Sequence, residues 1–234
     1  AMGTMVEGYT SENLKKTFGD VEGFLREPNT YNDDITFELA FLDAFSKKGY
    51  EVTSEDIALV WVGLIPCGWS AEELAIRNIK NGIFPPESGT HCNPFNEWIG
   101  AQMRAGVCGM TAPGRPYIAA MLAWRDGEVS HANNGILGEV FNAVMTSLAF
   151  VDDDIRSVVR TSIQMIPKDS EYYSVISYAY DCCIRYENWQ DALYECMDRY
   201  KKYNWIHAYP NACCEIIALI YGNGDFRKTL HIIT

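Results

Sequence analysis

The chain has 234 residues, 48% of them hydrophobic, enough for one sizeable core. Its formal net charge is -12 and no basic run occurs along it, which excludes gripping nucleic acid by its phosphates. No apolar run reaches the length of a membrane span, so the expected partners include neither nucleic acid nor membrane.

Residues 1–30 are broken by Gly3, Gly8, Gly19 and Gly23, with Ser11 as the cap of a short helix. The first long helix is predicted over 34–48, with Gly49 just past its end. Ahead of it stand Asn32, Asp33 and Asp34. Adjacent carboxylates in an ordered place repel, and two things offset that repulsion. One is the positive end of a helix, with Asn32 or Asp33 as N-cap. The other is a divalent cation such as Mg²⁺, a hard ion commonly held by one or two carboxylates. From these residues alone both readings stay open.

Thr53 and Asp56 have the spacing of a capping box, and Ser70 with Glu73 repeats it. The helix opened by Ser70 stops at Asn81-Gly82, and Pro85, Pro86 and Gly89 mark a loop. Pro94 is expected in the first turn of a helix over 95–105. That helix would put Glu97 and Arg104, seven apart, on roughly one face with Asn96 nearby, either as a site or as a solvated polar stripe. In the loop Ser130-His131-Ala132-Asn133-Asn134-Gly135, Asn and Gly are turn formers and His131 is a candidate for binding. Gly135 at a helix start is expected to leave backbone N–H groups open to an anion such as a diphosphate.

Further helices are expected over 117–124, 134–150, 170–186, 189–202 and 211–221. Asp152, Asp153 and Asp154 read as caps of a helix that ends at Pro167. The aromatics from Tyr172 to Tyr194, Trp189 included, mostly follow helical spacing and are expected in core or helix-contact roles rather than as a ligand platform. The 8 cysteines show no CxxC and no zinc-type spacing, and are expected as reduced small hydrophobes of a cytoplasmic protein. Period-2 alternation and solenoid repeats are both absent. The expected fold class is all-α, a single compact orthogonal helical bundle forming one domain over 1–234.

These segments, taken in order, resemble the ADP-ribosylglycohydrolases of the dinitrogenase-reductase-activating glycohydrolase type. Asn32-Asp33-Asp34 before an apolar helix is similar to that family's first acidic motif. The segment 93–104 is similar to the next stretch of the family pattern, and Ser130 to Gly138 resembles its Ser-His-x-x-Asn-Gly loop and long central helix. Residues 1–8 resemble the tail of its N-terminal Gly-Asp-Ala-x-Gly…Glu motif, and His207, Asn211 and 222–234 resemble the approach to its last motif.

The resemblance implies an all-α hydrolase that binds two Mg²⁺ ions, or Mn²⁺. It would cleave the glycosidic bond at the anomeric carbon of ADP-ribose attached to a protein or small molecule. It implies Asn32, Asp33 and Asp34 as metal ligands, and Asp33, Asp34 and Glu7 as catalytic residues. Asn96, His131, Asn133, Gly135 and His207 would lie on the substrate side. The chain departs from the family pattern at Asn32 and Ile35, where Ser or Thr and then Thr are usual. The family's second acidic motif, Asp-x-Asp-Thr/Cys-Asn, is absent, and with it half of the ligand set. The expectation is therefore a domain lacking its N-terminal helix and C-terminal metal motif. Alternatives are a non-catalytic ADP-ribose-binding or crystallin-like homologue, or a hydrolase of another ribosyl metabolite.

Overall fold

The computed structural model describes residues 6, 8–21, 23, 25 and 32–233. The described part is all-α: 14 helices and, among the described residues, no strand beyond one isolated bridge between Trp98 and His207. In order they are α1 (Ser11–Phe18), α2 (Asp33–Lys48), α3 (Ser54–Leu64), α4 (Ser70–Lys80), α5 (Glu87–Thr90), α6 (Gly100–Met103) and α7 (Gly106–Met110). Then come α8 (Pro116–Gly127), α9 (Asn133–Leu148), α10 (Ile155–Gln164), α11 (Glu171–Arg185), α12 (Trp189–Tyr200), α13 (Ala208–Gly222) and α14 (Phe226–Ile233).

Side-chain caps set most of the long helix starts. Asn32 Oδ1 accepts from the Ile35 N–H at 3.1 Å, and Gly49 closes the other end of α2 at φ 57°. Thr53 and Asp56 form the reciprocal capping box of α3. Asp154, Ser170 and Asn188 cap α10, α11 and α12 in the same way. Two expected starts differ. Ser70 does not cap α4; it sits inside the first turn at φ 41°, and Trp69 holds the cap position without a side-chain bond. The N-cap of α1 is Thr10 rather than Ser11.

The predicted helix over 95–105 is the main departure. Residues 94–99 form turns instead, and only Gly100–Met103 is helical. The segment is held open from two sides. The Ile99 N–H donates to the Ile206 carbonyl at 2.8 Å, and the Glu97 carbonyl accepts from the Ala208 N–H at 3.1 Å. Backbone groups engaged with a distant loop are lost to the helical ladder.

Helix α9 is the axis of the molecule. Residues from Gly135 to Ser147 are buried almost all round it, and α6, α7, α8, α10, α11 and α13 pack on it. The approach of α7 depends on Gly109, where a Cβ would stand 2.5 Å from the Ala143 carbonyl oxygen. Core side chains run from Phe37 on α2 to Ile232 on α14, with Trp61, Phe141, Tyr172 and Tyr209 among the largest. Five of the cysteines, Cys108, Cys182, Cys183, Cys196 and Cys213, are buried, and among the described residues no disulfide joins any cysteine, in keeping with their expected role as small hydrophobes.

Candidate active site

The start of α2 opens into a cleft of about 440 Å³. Asp33, Asp34 and Glu72 give it an acidic floor, and Trp69, Trp98 and Trp205 stand around it, with Gly100 and Asn211 between. Trp69 is 60% exposed and Trp205 62% exposed, so a ligand in the cleft can reach both side chains.

Both readings of Asn32-Asp33-Asp34 meet here. Asn32 is the N-cap of α2, and its Nδ2 also donates to Asp34 Oδ2 at 3.1 Å. Its side-chain oxygen therefore serves the helix cap. Asp33 and Asp34 lie in the first turn, yet they line the cleft as well. Burial raises the Asp34 carboxyl above its usual range and the Asp33 charge adds to that, while Asn32 opposes. Among the described residues, no Lys, Arg or His reaches either carboxylate within ion-pair distance.

A divalent cation fits this donor chemistry. Mg²⁺ is characteristically held by one or two carboxylates, with water and substrate filling the rest of its shell. Asp33 and Asp34 supply that pair. Among the described residues, no group of three or more His, Cys, Asp or Glu is gathered to hold a metal.

Behind the cleft wall lies a buried ionic knot that the sequence did not reveal. Arg104 is 1% exposed. Its Nε donates to Asp126 Oδ2 at 2.5 Å, its Nη1 to Glu72 Oε1 at 2.9 Å and its Nη2 to Ser130 Oγ at 3.1 Å. Glu139 Oε2 lies 3.7 Å away, and the guanidinium stands 4.9 Å from the Trp61 ring centre. Three carboxyls around one cation cannot all be charged at low cost. Burial pushes Glu72 up to about 7, against the pull of Arg104. Burial raises Glu139 well above its usual range, and Asp126 adds to that. Protonated, Glu139 has a hydrogen to give its neighbour Asp126, whose Oδ1 otherwise has no partner among the described residues.

His131 belongs to this knot and does not line the cleft. It is 1% exposed. Its Nε2 accepts the Ala101 N–H at 3.3 Å, which leaves the ring proton on Nδ1 for Ser130 Oγ at 2.8 Å. Burial and the Arg104 charge hold it well below its usual pKa, as neutral imidazole. It positions the turn carrying Gly100.

The other predicted residues separate. Glu97 and Arg104 do not share a helix face, because the helix that would align them is broken. Glu97 Oε1 instead accepts from the Asn134 N–H at 3.3 Å and Asn134 Nδ2 at 3.0 Å. Its Oε2 is 4.0 Å from His207 Nε2. His207 is the N-cap of α13, packed between Tyr203 and Tyr209, and burial lowers its pKa while Glu97 opposes. Gly135 does not offer an open N–H: that group donates to the Ala132 carbonyl at 2.9 Å. A Cβ there would stand 2.3 Å from the Asn96 carbonyl oxygen, so Gly135 permits a close crossing. Asn96 contributes that carbonyl to the Ala132 N–H at 3.0 Å, and Asn133 is exposed at φ 47°. Neither lines the cleft. Glu7 lies outside the described residues.

What sequence reasoning missed is Glu72, the three tryptophans and Asn93, which donates to the Ala71 and Ser130 carbonyls from a buried position. Glu72 was hidden by its place in a helix first turn, where acids are ordinary. No curated protein and no solved structure matches the chain. The family described as ADP-ribosylglycohydrolase matches residues 1–234, the whole chain, and the chain belongs to the ADP-ribosylglycohydrolase family.

Proposed function

We propose that this chain hydrolyses the glycosidic bond at the anomeric carbon of ADP-ribose carried by a protein or a small molecule. Asp33 and Asp34 would hold Mg²⁺, or Mn²⁺. One observation carries the reading. In a chain matched along its whole length by that family, the paired carboxylates share a tryptophan-rimmed cleft, with no Lys, Arg or His side chain among the described lining residues to neutralise them.

When bound, a divalent cation supplies positive charge against anionic substrate oxygens and makes water a better nucleophile. The chain's own residues do the rest. Asn32 fixes Asp34 through its side-chain bond and fixes the turn through the helix cap. The exposed side chains of Trp69 and Trp205 suit the adenine ring by stacking. Glycoside cleavage passes through an oxocarbenium-like state, whose positive charge the acidic floor stabilises. Arg104 and His131 hold the wall in register from behind.

The test is turnover of an ADP-ribosyl substrate in Mg²⁺ by the Asp33→Asn, Asp34→Asn double variant. A loss of about a thousandfold or more is expected, with the helical spectrum unchanged. Turnover within a few-fold of wild type would overturn the assignment. A second reading has its own observation: Asn32 caps the helix and, among the described residues, no group of three or more His, Cys, Asp or Glu is gathered to hold a metal. That reading, an ADP-ribose-binding protein without turnover, is supported if calorimetry with ADP-ribose gives saturable binding while the wild type releases no product.

A further inference from the structure

A second cavity, of about 340 Å³, lies between α9, α10 and α13, on the far side of Met103 from the acidic cleft. Met103 lines both. Its walls are apolar, from Met145, Ile155, Val158, Val159 and Leu219. Its floor is polar and consists of Gln102, Asn142 and Glu215.

The hydrogen-bond balance of that floor is one-sided. Gln102 Nε2 donates to Glu215 Oε2 at 3.1 Å, and Gln102 Oε1 accepts from the Tyr172 hydroxyl at 3.1 Å. Asn142 Nδ2 donates to the Gln102 carbonyl at 3.1 Å. One N–H of each amide is taken in these bonds. Asn142 Oδ1 is left buried without a partner among the described residues, beside a carboxyl. Among the described residues no Lys, Arg or His lines the cavity, and Asp152 adds a second acid. The cavity thus sets an acid and an unpartnered amide oxygen beneath apolar walls, and a buried acceptor without a donor is costly.

We propose that this cavity is a binding site for a small organic ammonium: a primary amine carried on a compact apolar body. The ammonium has three donors and no acceptor, the complement of Glu215 and Asn142 Oδ1. The apolar body fills the space among the α9, α10 and α13 side chains, which lies in the size range of small-molecule pockets. Burial holds the Glu215 carboxyl up at about 7, against Gln102 and Asn142, as expected of an acid facing an apolar space without a cation. The site is separate from the acidic cleft and stands whether or not the glycohydrolase reading holds.

The probe is cyclohexylammonium chloride, titrated calorimetrically into the whole chain at pH 8, with cyclohexanol and sodium cyclohexanecarboxylate as the neutral and anionic counterparts. Saturable binding of the ammonium at one site is expected, weakened about tenfold or more by Glu215→Gln. The exposed lining residue Ala149 gives an independent variant: Ala149→Trp should block entry without touching the floor. Asp33→Asn with Asp34→Asn should leave the affinity unchanged. The proposal is overturned if the ammonium does not bind the wild type. It is equally overturned if both Glu215→Gln and Ala149→Trp bind it as tightly as wild type, or if the alcohol or the carboxylate binds equally well. Loss of binding in the Asp33, Asp34 double variant would place the ammonium in the acidic cleft and overturn the proposal too.

Discussion

Glu72 shows how far one side chain's surroundings outrun its residue type. In sequence it is a first-turn acid; in the structure it is 3% exposed, bound to Arg104, and part of the cleft floor. Burial raises its carboxyl from 4.5 to about 7. A carboxyl raised on folding leaves stability intact below its unfolded value and erodes it as pH climbs through the folded one. At pH 8 the ionised form costs the fold about 3 kcal/mol at most relative to a neutral side chain. Glu72→Gln should therefore melt above wild type at pH 8, by a margin that shrinks towards pH 5. The difference between the two proteins cancels the opposing contribution of His207, whose lowered pKa favours the fold as pH rises. A margin independent of pH would show that Glu72 does not titrate in this range. Gly100 is the second residue-scale case. A Cβ there would stand 1.8 Å from Glu72 Oε1, so Gly100→Ala must push Glu72 off Arg104. A loss of about 1–3 kcal/mol in denaturant unfolding is expected.

At the scale of elements, the helices whose ends carry side-chain caps were legible. Thr53 and Asp56 announce α3 by spacing alone, and the structure has both bonds of the box. Thr53→Ala should cost about 1 kcal/mol, read as a lower melting midpoint, while a surface change such as Glu55→Gln should leave it nearly unmoved. The segment 94–105 was not legible, and the reason is physical. Its composition suits a helix, but Glu97 is drawn to Asn134 and His207, and Arg104 to Glu72 and Asp126. Two side chains pulled to different partners, with the backbone tied to 206–208, outweigh local preference. The start of α9 misled for a similar reason: Gly135 reads as a phosphate-loop glycine, yet tertiary packing uses it to bring the backbone against Asn96. Local pattern records what a segment prefers, not which distant partner claims it.

Across the whole molecule, the all-α class and the acidic pair at the start of α2 were readable because periodicity, caps and charge are written locally. The tryptophan rim and the Arg104 knot were not, because each gathers residues from helices far apart in the chain. With -12 net charge and an acidic cleft, the molecule should gain stability from a cation that binds the folded state. Millimolar Mg²⁺ is expected to raise the melting midpoint of wild type and not that of the Asp33→Asn, Asp34→Asn double variant. An equal rise in both would reduce the effect to screening. The clasp between 97–99 and 206–208 carries one more consequence, for the order in which the chain folds. Trp98 and Trp205 become neighbours only when segments remote in sequence close on each other. Contacts that close long loops demand chain entropy first and reward it later. The α2 end of the cleft is built from local turns, whereas the part carrying Trp205 and Asn211 waits for α13 to dock, so the cleft is expected to be completed late in folding.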